Sequence, residues 1–425
     1  MSTSTTTPGG PGFEEYHPDQ EDESLGAQAR AYFTRVRGGD VGSLPALFGL
    51  VFLCIVFAVL EPDAFTNAFN FANLINQAAG VTVIAMGLVF VLLLGEIDLS
   101  AGFTAGTAAC MLAIASTEQG WHWFPSVLLC LGTGAVIGVL IGLLVAALGI
   151  PSFVVTLAAF LGLQGVMLVL IGEGGTIAIR DETILAVMNE NLPLWAGWAL
   201  CLILIAGYAA NTFLTAAARR RAGLRGQPLS LSLLKIGGLA VLLVAATAYL
   251  STERSRNVII ASLKGVPVVV VVLVVLLVVL TWLLTRTAWG RHVYAVGGNA
   301  EAARRAGINV FRVRLTCFIM CSTLAAVAGI LLVSRTNSVS PSTGGSLTLL
   351  YAVGAAVIGG TSLFGGKGRI IDAVLGGFVV AVIDNGMALL NQPSGRVYIV
   401  TGLVLLLAAS VDAISRRRAA ATGRI

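Results

Sequence analysis

The sequence predicts an all-α polytopic membrane protein with about twelve transmembrane helices. Three observations carry that reading: an apolar composition, a train of hydrophobic runs of membrane length, and arginines gathered on one side of it. Hydrophobic residues make up 57% of the 425 residues, charged residues 11%, and mean hydropathy is +0.91. A soluble domain carries about 25% charged residues, so the solvent here is a bilayer. The formal charge of +5 is no sign of nucleic-acid binding, because the arginines sit at the ends of apolar runs. The 50 glycines fit closely packed membrane helices.

A membrane helix needs about 20 apolar residues. Candidate spans are 44–61, 78–95, 99–117, 124–148, 151–172, 194–214, 231–250, 258–285, 313–335, 349–364, 370–391 and 396–413. The span at 349–364 is short and glycine-rich, and 71–77 reads as a broken or re-entrant piece ahead of the second span. With the N-terminus in the cytoplasm and strict alternation, the arginine clusters at 219–225, 286–314 and 416–424 all fall inside. That asymmetry predicts cytoplasmic N and C termini. Residues 1–43 are polar and acidic and predict a disordered cytoplasmic tail; 44–415 form the transmembrane domain; 416–425 form a basic cytoplasmic tail.

Packing and path are read from glycine and polar spacing. Gly134, Gly138 and Gly142 recur every fourth residue on the fourth span, and Gly102 and Gly106 on the third. Such rows let helix backbones approach closely. The all-apolar 268–280 stretch reads as lipid-exposed. Residues 95–100 place Glu96 and Asp98 between two apolar runs, where a lipid-facing carboxylate costs about 2.5–3.5 kcal/mol. Three readings stand: a break that exposes carboxylates and backbone to a pathway, a turn in which Asp98 caps the next helix, and a proton relay, for which no partner base lies at helical spacing. Ser100, Thr104 and Thr107 fall on one helical stripe. Asn76, Gln77, Thr156, Gln164 and Asn385 are the other polar side chains at depth expected to face the bundle interior. Asp384 lies beside Asn385.

Residues 299–307 predict a short surface helix. Glu301 precedes Arg304 and Arg305 at ion-pairing spacing, and Gly307 suits the C-cap. Ala302 and Ala303 offer a small face for docking, and Asn299 opens the segment. The glycine-rich 359–368 stretch is no phosphate loop: Thr361 replaces the first required glycine, and Gly368 follows Lys367 where a hydroxyl residue belongs. It suits a tight turn instead. Six cysteines lie in apolar runs and three histidines are scattered, so neither a metal site nor a catalytic residue is predicted.

Four stretches, 95–100, 149–157, 294–308 and 357–367, resemble in order and spacing the permeases of bacterial monosaccharide ABC importers, most closely the D-xylose branch. The resemblance covers roughly residues 65–413; extra apolar sequence at 194–250 separates this branch from shorter ribose-type permeases. It implies a ten-helix type II-like importer core plus an extra pair, in the bacterial inner membrane. The implied partners are a second permease chain, a cytoplasmic ATPase that uses ATP, an extracellular sugar-binding protein and membrane lipid, with no nucleic acid. It also implies that the 294–308 stretch docks on the ATPase. The family often has serine at the position of Ala306. The rival readings are an ion-coupled secondary transporter using Glu96, Asp98 or Asp384, an ABC permease for another sugar or a nucleoside, and an integral membrane enzyme.

Overall fold

The computed structural model describes residues 42–223, 229–255 and 262–421. The acidic tail up to residue 41, Arg225 and the last four residues of the basic tail lie outside the described residues.

Helices dominate because the apolar runs must satisfy their own backbone groups in lipid. In chain order, α1 (Leu44–Leu60) and the one-turn α2 (Pro62–Phe65) lead into α3 (Ala68–Leu93). Next come α4 (Ala101–Ala113), which ends in a π turn at Ile114–Glu118, then α5 (Trp123–Ala146) and α6 (Ser152–Ile171). A two-residue strand β1 (Ile177–Ala178) and α7 (Glu182–Asn189) precede the pair α8 (Leu194–Arg221) and α9 (Leu229–Leu250). The second half holds α10 (Val269–Arg286), α11 (Ala288–Gly298), α12 (Ala300–Arg305), α13 (Val310–Thr336) and strand β2 (Ser338–Val339). It closes with α14 (Ser346–Gly359), α15 (Ile370–Leu389) and α16 (Ser394–Ala421). Strand β1 pairs antiparallel with β2, Ile177 opposite Val339, and ties the two halves together at one end.

Among the described residues, eight helices are long and apolar enough to cross a membrane: α3, α5, α6, α8, α9, α10, α13 and α15. Shorter apolar helices run over Leu44–Leu60, Ser346–Gly359 and Ser394–Ser410. Each predicted span contains one helix. The expected broken piece at 71–77 is instead continuous helix, part of α3, whose first turn is capped by the Asn67 side chain. Three short helices, α2, α7 and α11, have no counterpart among the predicted spans.

The core is a bundle of α3, α13, α5, α14 and α15. Glycines set its spacing. A Cβ on Gly134 or Gly138 would lie within 2.7 Å of Ala326 Cβ or Ile319 Cα on α13, so α5 touches α13 backbone to backbone, as the row predicts. Gly102 and Gly106 behave differently: their closest neighbours are Gly344 O and Thr343 O of a loop, with Leu349 of α14 and Met167 of α6 packed beside them. The Val-rich α10 is also two-faced, with Val275, Val278 and Val279 exposed and Val269, Leu273 and Leu280 buried.

Two elements are too short to span. Helix α4 has 13 residues and α14 has 14, about 20 Å each against a hydrocarbon core of about 30 Å. Each follows a long helix, α3 or α13, through an irregular stretch that turns back into the bundle. Their starts meet where Gly102 packs against Gly344 and Leu349.

Candidate functional site

The end of α3 is the centre of the site. Helix α3 stops at Leu93, and Gly95 turns the chain with a φ of 73° that glycine adopts at no steric cost. The next residues run back into the bundle. Asp98 is fully buried, and its Oδ1 accepts from Ser100 N at 2.9 Å and from Ser100 Oγ at 2.6 Å. It fastens the residue at the N-cap of α4, close to the capping expected. Glu96 stays near the surface and pairs with Arg314 of α13 at 3.3 Å.

The other three motif stretches converge here. Ser152 Oγ, at the start of α6, accepts from Ile97 N at 3.2 Å, and Thr156 Oγ1 donates to Ile97 O at 3.2 Å. Gly366 N, from the turn between α14 and α15, donates to Leu93 O at 2.8 Å. Gly365 and Gly366 hold φ of 86° and 73°, the tight turn the sequence suggested. Gly297, at the end of α11, sits so close that a Cβ there would fall 1.8 Å from Leu93 O and 3.0 Å from Gly366 N. Four stretches separated by up to 270 residues thus share one junction.

Helix α11 is held on that junction along its length. Trp289 stacks tilted on Phe90 with ring centroids 5.7 Å apart, and its Nε1 donates to Thr316 Oγ1 at 2.8 Å. Tyr294 donates its hydroxyl to Gly368 O at 2.8 Å. Burial pushes that phenol up and the nearby Asp372 carboxylate adds to the effect, so it stays a neutral donor. After Asn299, whose side chain accepts from Ala302 N at 2.9 Å, α12 forms over six residues. Glu301 pairs with Arg304 at 2.8 Å and with Arg305 at 3.3 Å, all three exposed, and Gly307 turns the chain out with φ 83°. One expectation is corrected. Ala303 is 4% exposed and packs into the core, so it anchors the helix and cannot be part of an open docking face. The outward face is Glu301, Ala302, Arg304, Arg305 and Ala306.

The polar residues expected along a path do not gather in one place. Asp98, Ser100, Thr104, Thr107 and Thr156 gather around the start of α4 and are buried. Asp98 Oδ2, Thr104 Oγ1 and Thr107 Oγ1 have no hydrogen-bond partner, and neither has Ser322 Oγ on the adjoining α13. They are closed off from solvent, with the 343–345 loop packed on Gly102 and Gly106 of the same helix. Gln164 is half-buried on α6. Asn76 and Gln77 lie near the far end of α3, where Asn76 Nδ2 donates to Met188 O at 3.1 Å. Asn385 is drawn elsewhere: its amide exchanges two bonds with Asn70, at 2.9 and 3.0 Å, and joins α15 to α3. It does not open toward a central cavity. Asp384, next to it, is exposed and lies across from Arg335. Sequence reasoning missed Arg314, Trp289 and Asn70, which act through partners far away in the chain. Among the described residues no cluster of metal-binding side chains occurs.

Two half-length helices meeting inside a bundle, with a buried row of polar oxygens at the break, define a membrane transport protein. The family model described as the permease component of branched-chain amino acid transport systems matches residues 70–409, and the chain belongs to that family. Among curated relatives, the xylose transport system permease protein of Escherichia coli K12 is 34% identical over 369 residues, 87% of this chain and 91% of the relative. The ribose import permease protein of the same organism is 31% identical over 384 residues, 90% of this chain and 96% of the relative. The fructose import permease protein of Rhizobium meliloti is 30% identical over 376 residues, 88% and 86% of the two chains. No solved structure matches the chain.

Proposed function

We propose that the chain is the transmembrane permease subunit of an ATP-driven sugar importer in the bacterial inner membrane, with D-xylose or a related monosaccharide as its cargo. The carrying observation is the junction at Leu93, where the exposed α12 segment is coupled through α11 to the break before α4. The likeness to xylose, ribose and fructose permeases supports the substrate class.

The sides of the membrane follow from charge. Residues 42–43, 94–97, 297–314 and 360–369 meet at one end of the bundle through Arg369–Ser43, Gly366–Leu93 and Arg314–Glu96. This is the arginine-rich end, which the positive-inside rule assigns to the cytoplasm. Twelve passes, two of them made by a short helix together with the irregular stretch beside it, and both termini inside, fit that grouping. A cytoplasmic ATPase subunit docks on the outward face of α12, and this chain performs no covalent chemistry. An extracellular binding protein delivers the sugar at the opposite end, and a second copy of the chain completes the path.

In operation, ATP binding in the partner moves α12. Helix α11 transmits the shift, because Gly297 leaves no slack against Leu93 O. The break at 94–100 and the 343–345 loop then part, and the oxygens of Asp98, Thr104 and Thr107 become available to sugar hydroxyls. Such contacts are exchangeable and weak, which suits release. The test is uptake into vesicles holding the permease, its ATPase and the binding protein. Uptake of xylose that requires ATP and all three components is expected. Uptake driven by a proton or sodium gradient without ATP would instead establish the secondary transporter.

A further inference from the structure

A polar cavity of about 160 Å³ lies at the end of the bundle opposite the coupling junction. Three segments wall it: Phe69, Asn73 and Asn76 from the first turns of α3, the 189–191 stretch where the chain leaves α7, and Arg254 from the turn after α9. Phe69 stands about 36 Å along α3 from Leu93. The outer pair α8 and α9 thus delivers one buried polar side chain to the core, at the end where it meets it.

The walls are tied together by the chain's own hydrogen bonds. Val268 N donates to Glu190 O at 3.1 Å, Leu192 N donates to Val266 O at 2.8 Å, and Asn191 forms an antiparallel bridge with Pro267. Asn189 Nδ2 donates to Ser334 O and to Asn337 Oδ1, both at 3.0 Å. Arg254 donates from Nη1 to Leu250 O at 2.8 Å and from Nη2 to Asn191 Oδ1 at 2.9 Å. A site fixed in shape in this way loses little freedom on binding. Capacity of both kinds is left over. Among the described residues the Asn73 amide makes no hydrogen bond, Asn191 Nδ2 has no acceptor, and Asn76 Oδ1 is buried without a donor. The exposed Glu190 carboxylate adds an acceptor, and the Phe69 ring, 54% exposed, adds a flat apolar face.

We infer that this cavity is an entry site for one monosaccharide ring, its hydroxyls held by Asn73, Asn191 and Glu190 and one face of the ring against Phe69. The side chains select an uncharged polyhydroxy ligand. An amide presents a donor and an acceptor side by side, and a hydroxyl answers either. Arg254 has both terminal nitrogens turned onto the chain's own oxygens, which disfavours a carboxylate or a phosphate. The size selects a single ring, since sites for larger, drug-sized ligands begin at about 300 Å³. The ligand class rests on the sugar-importer reading. On that reading the cavity is a first station, which holds the sugar while the break before α4 is closed and precedes the buried oxygens of Thr104 and Thr107.

The test is saturation-transfer difference NMR of D-xylose with the full-length permease in lipid nanodiscs, without ATPase or binding protein. The wild type should bind saturably. Xylitol, an open chain of the same carbon number, should bind about fivefold more weakly, because its rotations must be frozen. Asn73→Ala strands no partner within the chain and should raise Kd about tenfold, the upper worth of one hydrogen bond. Asn73→Trp, which fills the cavity, should abolish binding. Gel filtration monitors the fold of both variants, and Asn73→Ala decides the matter if Asn73→Trp does not fold. A wild type that binds no sugar overturns the inference. So does xylitol binding as tightly as D-xylose, or binding that Asn73→Ala leaves unchanged, which would place the sugar elsewhere on the chain. ATP-driven uptake by the complete system is measured alongside: absent binding with normal uptake fails this cavity alone, whereas absent binding with absent uptake fails the transport reading as well.

Discussion

The inner helix α3 and the outer pair α8 and α9 are equally apolar on a sequence plot, yet they live in different solvents. In the most hydrophobic stretch of α3, 83% of residues are buried within the chain; in α8 and α9 the figure is 6% each. Glycines mark the same divide. Gly87 of α3, and Gly297 of α11 where it meets the end of α3, are pressed against backbone, whereas a Cβ on Gly207, Gly237 or Gly238 of the outer pair would meet nothing within 4 Å. Close packing turns one helix into part of a mechanism, since a displaced rigid element must carry its neighbours with it. The outer pair is left largely uncovered by the rest of the chain and touches the core mainly at its ends, through Tyr249 to Thr66 O and Phe71. Hydrophobicity alone places both in the membrane; the small-residue contacts separate machinery from periphery.

The sharpest way to break this comparison is to add the same side chain to both regions. Gly297→Val should disrupt the junction, at or above the upper end of the about 1–3 kcal/mol that overpacking costs. Gly207→Val should change stability by less than about 0.5 kcal/mol, since its added atoms meet no other part of the chain. Thermal unfolding in detergent by tryptophan fluorescence compares the two, and similar melting shifts would erase the distinction.

A second, smaller effect concerns the amide pair inside the core. Asn385→Leu strands the Asn70 amide, an unmet hydrogen bond of about 1–3 kcal/mol. The double variant Asn70→Leu, Asn385→Leu should recover much of that loss, because both partners then become apolar. If the double variant melts no higher than the single, the pair is not what joins α3 to α15.

The smallest effect lies in the turn between α9 and α10. Glu253 accepts from Ser262 Oγ, Ser255 N and Leu263 N, and these bonds hold its carboxyl down from the ordinary 4.5 to about 2. A lowered folded pKa means that the carboxylate's contribution is complete above about 4.5 and is lost as pH falls through about 2. Protection of the Leu263 amide against hydrogen exchange should therefore hold from pH 7 to pH 5, and Glu253→Gln should lower it at both. Equal protection in the variant would show that the carboxylate does not order the turn.

Much of the architecture was legible in the runs of apolar residues, because a bilayer tolerates little else. Where the sequence reading fell short, the cause was local. Residues 99–117 have the length of a span, but the regular α-helix ends at Ala113 and the last turn is π, so the α-helical part falls short of a full span. Helices α7 and α11 are short and mixed in polarity, and no period of membrane length reveals them. Of the site, the motif stretches were legible but not their meeting point, since Glu96–Arg314 and Gly297–Leu93 bridge distant segments. A six-residue helix has too few turns to show which side faces the protein, and hence Ala303 reads as surface when it is anchor.

The central claim, that α12 couples the permease to an ATPase, is tested most directly at its outward face. Ala302 is exposed and its side chain is free of the core, so Ala302→Asp leaves the fold intact while placing a charge in the docking surface. The measurement is ATP hydrolysis stimulated by the sugar-loaded binding protein, in vesicles with permease and ATPase at matched abundance. The account predicts that Ala302→Asp abolishes stimulation and co-purification of the ATPase at normal permease levels, while Gly207→Val leaves both at wild-type values. Full stimulation by Ala302→Asp, with the complex still intact, would contradict it.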